Sequence, residues 1–125
     1  MSPSPLRALV PLALALTATL TLTACAASGP VQVTDATVIV DVRTPAEYSE
    51  GHLQGALNID VQSPAFADGI AGLDPAGEYV VYCRSGNRSA TAVKAMRDAG
   101  FTGVTDAGGM SSAAESTGLE IVTGP

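Results

Sequence analysis

The chain has 125 residues, 46% of them apolar and 14% charged, which suits one globular domain and argues against a disordered polymer. Twelve acidic against six basic side chains leave a net charge of -6, a balance that repels phosphate backbones, so no nucleic-acid partner is expected. With no Trp and only three Tyr and two Phe, the core has to be aliphatic.

The first segment reads as an address. Arg7 precedes the apolar run Ala8–Leu22, which contains Pro11 and is shorter than the roughly 20 residues a bilayer-spanning helix needs. A cation followed by such a run predicts a signal peptide over residues 1–24. Leu22-Thr-Ala-Cys25 then resembles the lipobox of bacterial lipoproteins. That resemblance implies lipidation of Cys25, which becomes the mature N-terminus, and export to the extracytoplasmic face of a bacterial membrane. Two or more acyl chains anchor stably, each buried methylene contributing about 0.8 kcal/mol. Residues 25–32 become a lipidated tether, of which Ala26–Pro30 spans at most about 17 Å, and the domain proper is expected over 33–122. Cys25 and Cys83 are the two cysteines, so acylation of the first leaves the second without an intramolecular partner.

Val38–Val42 is a β-branched run without helical period and predicts a strand buried on both faces of a parallel sheet. Thr44-Pro-Ala-Glu47 comes next, with Thr at the N-cap, Pro at N1 and Glu at N3: a capping box opening a short helix that Gly51 ends. Ala56–Ile59 predicts a second short strand, Phe66–Leu73 a helix, and Asp74-Pro-Ala-Gly77 a turn. Tyr79–Tyr82 is a clear strand. Ser89–Ala99 carries Ala92, Val93, Met96 and Ala99 at helical spacing with Gly100 as its stop, and Val104 falls in a last inner strand ending at Asp106. Alternation of strands and helices predicts an α/β doubly wound domain, its mainly parallel sheet of about five strands covered by helices on both faces.

The chemistry concentrates in Cys83-Arg-Ser-Gly-Asn-Arg-Ser89, between a strand and a helix at the carboxyl edge where open α/β sheets bind ligands. A short loop entering a helix turns successive N–H groups toward one spot, and the helix dipole adds positive potential. A Cys there is favoured as thiolate, with Arg84 and Arg88 as the expected cations. Gly86 permits the left-handed backbone such a loop needs, and Asn87 tolerates it nearly as well.

Five segments in this order resemble the rhodanese family: Asp41-Val-Arg43, Thr44–Tyr48, Gly51–Ile59, Tyr82–Ser89 and Gly108-Gly-Met110. The resemblance spans about residues 33–122. It implies that Cys83 takes a sulfane sulfur from a donor such as thiosulfate and hands it, as a persulfide, to a thiol or cyanide-like acceptor. It implies too that the loop Arg84, Ser85, Gly86, Asn87, Arg88 and Ser89 cradles the substrate. No cofactor or metal is implied, and a monomer is expected. Many members have a Trp after the equivalent of Met110, where this chain has Ser111-Ser-Ala-Ala114, which bears on the packing of the last helix. Phosphatases built on this fold hold their Arg six positions after the Cys; Arg88 stands at five, so the smaller ring disfavours a phosphatase or arsenate reductase. The alternative from another class is a non-enzymatic module that binds a partner or stores sulfane sulfur, because fold does not fix function.

Asp41 and Arg43 are read as a local salt bridge and His52 as a hydrogen-bonded structural residue at a turn, since sulfur transfer to a thiolate needs no base.

Overall fold

The computed structural model describes residues 29–125; the expected signal peptide and the lipidation site Cys25 lie outside the described residues. The main sheet has four parallel strands: β1 (Thr37–Asp41), β3 (Leu57–Asn58), β4 (Glu78–Cys83) and β5 (Gly103–Gly109), in the order β3-β1-β4-β5. Four strands stand where about five were expected. β5 is an edge strand and not an inner one, and it runs on past Asp106 to Gly109. Two further strands, β2 (His52–Leu53) and β6 (Ile121–Val122), form a separate antiparallel pair that no local pattern announced.

The β-branched runs form β1 and β4 because both faces of the sheet are covered, so Val and Ile on either face meet apolar neighbours. On one side Val40, Val42, Tyr79, Val81 and Cys83 meet Phe66 and Ile70 of α2 (Phe66–Ala71) and Ala92, Val93 and Met96 of α3 (Asn87–Asp98). On the other, Ile39, Val80 and Tyr82 meet Ala113 of α4 (Met110–Thr117), with Tyr48 of α1 (Pro45–Glu50) alongside. Each fully buried Val or Met contributes about 1.5–3 kcal/mol by leaving water. At α4, Ala113 is fully buried against the sheet.

α3 starts at Asn87, two residues before the predicted Ser89, which draws Asn87 and Arg88 out of the loop and into the first helical turn. Asn87 is therefore right-handed, and Gly86 alone in the loop takes the left-handed conformation, at φ 104°. In β5 the register against β4 slips by one between Val81 and Tyr82, so that Gly109 comes to face Cys83. Slips of this kind bend a strand and re-aim the residues beyond them. Here the slip brings Gly109 under the loop, where a Cβ would lie 2.7 Å from the Arg84 carbonyl oxygen.

Candidate active site

Cys83 ends β4 and is wholly buried, its sulfur at the floor of the loop. The Gly86 N–H donates to Sγ at 2.9 Å. The thiol in turn approaches the Ser89 oxygen at 3.5 Å, while the Ser89 hydroxyl donates to the Gly86 carbonyl at 3.0 Å. Ser89 has one hydroxyl hydrogen, so stabilising a sulfur anion requires it to turn from Gly86 toward Sγ. Burial pushes the Cys83 thiol up; the Ser89 hydroxyl and the amides of Ser89, Gly86 and Ser85 outweigh it and hold the thiol below its ordinary value. Hydrogen bonds, and not the two arginines, are thus the main stabilisers of the thiolate.

α3 is built for this. Its N-cap, Gly86, makes no side-chain capping bond, so the first amides of α3 stay free to point at the sulfur. Arg84, Ser85 and Asn87 are exposed at the rim, Gly86 and Arg88 are half-buried, and Ser89 is buried. A cavity of about 300 Å³ opens beside the rim, lined by Arg43, Glu47, Glu50, Gly51, Arg84, Met110 and Ile121. A larger one, about 620 Å³, lies at the opposite, amino ends of the strands near Thr37, Glu78 and Gly103, away from Cys83.

Arg88 departs from its expected place. Its two terminal nitrogens donate to both oxygens of Glu47 at 2.8 Å each, tying α3 to α1. Glu47 is the N3 residue of the capping box. Its backbone N–H donates to Thr44 Oγ1 at 3.3 Å, and its Oε2 accepts from the Thr44 N–H at 3.0 Å. The hydrogen bonds from Arg88 pull the Glu47 carboxyl down to about 2. The sequence marks Glu47 as a cap, but nothing local reveals a partner on another helix.

Beneath the loop, Asp41 and Arg43 form a buried pair, as the sequence suggested, within a larger network. The Tyr82 hydroxyl donates to Asp41 Oδ2 at 2.7 Å and accepts from the Leu53 N–H at 2.9 Å, while Arg43 also donates to the Gly51 carbonyl at 2.6 Å. Asn58 adds bonds to the carbonyls of Asp41 and Arg43 at 3.1 and 2.9 Å. Burial pushes the Tyr82 hydroxyl far up, so it stays neutral. This network fixes the carboxyl end of β1 beside that of β4; it does not touch the sulfur. His52 lies in β2, not in a turn, with Nδ1 2.8 Å from the Tyr48 carbonyl and its ring stacked on Tyr48.

The sulfur is thus held by the Gly86 amide at a strand-to-helix junction. Residues 27–115 match the rhodanese-like domain, and the chain belongs to that family. Among its relatives, the thiosulfate sulfurtransferase PspE of Escherichia coli is 35% identical over 71 residues, covering 57% of this chain and 68% of that one. The chloroplastic thiosulfate sulfurtransferase 16 of Arabidopsis thaliana is 37% identical, over 64% of this chain and 75% of its own. Of solved structures, an E. coli rhodanese with anions superposes with a TM-score of 0.59 at 31% identity, over 71% of this chain and all of the other. The Alr3790 protein of Anabaena gives 0.64 at 26% identity, over 73% and 80%. Sulfurtransferase activity is thereby supported at the level of the family.

Proposed function

We propose that the chain is a sulfurtransferase that carries sulfane sulfur on Cys83, with thiosulfate or a similar anion as donor. The observation that carries this reading is the Gly86 N–H donating to Sγ, with the Ser89 oxygen 3.5 Å from the same sulfur, at a helix start without a side-chain cap. In the first step the Cys83 thiolate attacks the outer sulfur of thiosulfate. The sulfur–sulfur bond to the sulfonate breaks, and sulfite leaves with the bonding pair. In the second step a thiolate or cyanide attacks the terminal sulfur of the persulfide, and Cys83 leaves as thiolate. Charge balances in both steps and no outside oxidant or reductant enters. The amides stabilise the anionic sulfur throughout, and the exposed Arg84 offers a cation to the incoming donor. The names of the relatives support thiosulfate as donor.

Intact mass after thiosulfate treatment tests the carrier. One added sulfur, lost on addition of cyanide with formation of thiocyanate over many turnovers, is expected of wild type, and Cys83→Ser is expected to do neither. Stoichiometric labelling without turnover would instead make the domain a sulfur store or binding module.

The same proposal puts the domain at the outer face of a bacterial membrane through Cys25, on the strength of Arg7, the apolar run and Leu22-Thr-Ala-Cys25. Cys25→Ser is expected to release it from the membrane fraction. A mature N-terminus at any other residue would overturn the anchor.

A further inference from the structure

Arg88 is the loop's second arginine, yet its charge is already matched. Both terminal nitrogens are engaged by both oxygens of Glu47, the fork-to-fork geometry that binds a guanidinium most firmly. Glu47 is itself held by the Thr44 N–H and hydroxyl, each 3.0 Å from Oε2, so the carboxylate arrives pre-positioned from α1. The pair is only about one-fifth exposed on either side, which limits screening by water. Arg88 remains within electrostatic reach of both Cys83 and Asp60, and Glu50 lines the cavity at the mouth. A cation cancelled by an adjacent carboxylate acts on a nearby sulfur as a dipole, whose field falls off faster than that of a free charge. Among the described residues, Arg84 is the loop cation that makes no ion pair.

Resting on the sulfurtransferase reading above, we propose that Glu47 is a specificity-determining counter-ion: by discharging Arg88 it leaves the donor anion to Arg84 and the loop amides, and so weakens the preference for doubly charged donors. Arg88 then contributes little net attraction in the resting enzyme, and donors carrying one negative charge compete better with thiosulfate than they would against two free arginines.

The test is Glu47→Gln, because Gln at N3 keeps the capping box while removing the charge that holds Arg88. Two donors with the same sulfane sulfur but different charge are compared, thiosulfate (dianion) and an aryl thiosulfonate (monoanion). The expected result is a several-fold fall in KM for thiosulfate, a smaller fall for the thiosulfonate, and a shift of Cys83 alkylation by iodoacetamide to lower pH. In the double variant Glu47→Gln/Arg88→Ala both charges of the pair are gone, and because the pair in the wild type is already cancelled, the preference between the two donors is expected to return to that of wild type. Equal shifts for both donors in Glu47→Gln, a rise in KM for thiosulfate relative to the thiosulfonate, or a donor preference in the double variant as altered as in Glu47→Gln alone would overturn the proposal. If the wild type turned over neither donor, the sulfurtransferase reading would fail. The alkylation profile needs no turnover and would still decide whether Glu47 shields Arg88, an unchanged or higher titration midpoint in Glu47→Gln counting against it. Should Glu47→Gln not fold, Arg88→Gln leaves the carboxylate uncancelled and is expected to disfavour thiosulfate more than the thiosulfonate; equal effects on both would sink the idea.

Discussion

Two helices begin at the same edge of the sheet, at the ends of the neighbouring parallel strands β1 and β4, and they treat their first amides in opposite ways. α1 satisfies its own: Thr44 accepts from the Glu47 N–H and Glu47 accepts from the Thr44 N–H. α3 has no side-chain cap; Gly86 takes a left-handed turn, and its N–H goes to the Cys83 sulfur. A side-chain cap stabilises a helix by removing unpaired donors, whereas a helix start without one keeps donors available for an anion. The first arrangement serves stability, and the second, under the function proposed above, serves chemistry. Glu47 belongs to both, since it completes the cap of α1 and holds Arg88 on α3.

The contrast between the two helix starts disappears most completely if α3 is given a cap of its own. Gly86→Ser places a competing oxygen at the amides and forces a side chain into φ 104°, a conformation that costs an L-residue roughly 1–2 kcal/mol. Thiocyanate production is expected to fall about tenfold or more, as when one donor to a reacting anion is lost. Activity close to wild type would show that the amides do not serve the sulfur.

Removing only the hydroxyl is gentler. Ser89→Ala deletes the side-chain bond to Sγ while keeping the amides, so the Cys83 thiol is expected to titrate higher than in the wild type. Alkylation rate against pH measures it, and a coincident profile would mean that Ser89 does not stabilise the thiolate.

At the other helix start, Thr44→Ala removes the cap of α1 and is expected to cost about 0.5–2 kcal/mol in a denaturation experiment. The alkylation midpoint of Cys83 should move far less than in Ser89→Ala. A stability loss below that range would mean that Glu47, still held by Arg88, fixes the helix start unaided.

The smallest effect is a pH dependence. The Glu47 carboxyl lies at about 2, against an ordinary 4.5. A carboxyl held below its unfolded value stabilises the fold fully above about pH 4.5 and loses that contribution as the pH falls toward 2. Wild type should therefore lose stability across that window more steeply than Glu47→Gln. Parallel curves in urea denaturation at several pH values would show that the ion pair adds nothing to the fold.

Much of this molecule was legible in the sequence because it is encoded between near neighbours. The β-branched runs formed the two central strands, Thr44 and Glu47 formed the capping box three residues apart, and the chain after Cys83 turned into α3 with Gly86 at its left-handed position. Such features depend on backbone preference and on hydrogen bonds reaching a few residues along the chain. Other features depended on which distant segments meet. The short β2 and β6 carry too few residues to show a period, and they exist because each supplies the other's ladder. Nothing in β5 marks it as an edge strand, since edge or centre is decided by what lies alongside. Tyr82 finds Asp41, and Arg88 finds Glu47, across 41 residues in each case. An arginine beside a reactive cysteine looks, in one dimension, like that cysteine's cation. Only the packing of α1 against the loop brought a carboxylate within 2.8 Å of it, and at that distance the nearer, opposite charge determines what the guanidinium does.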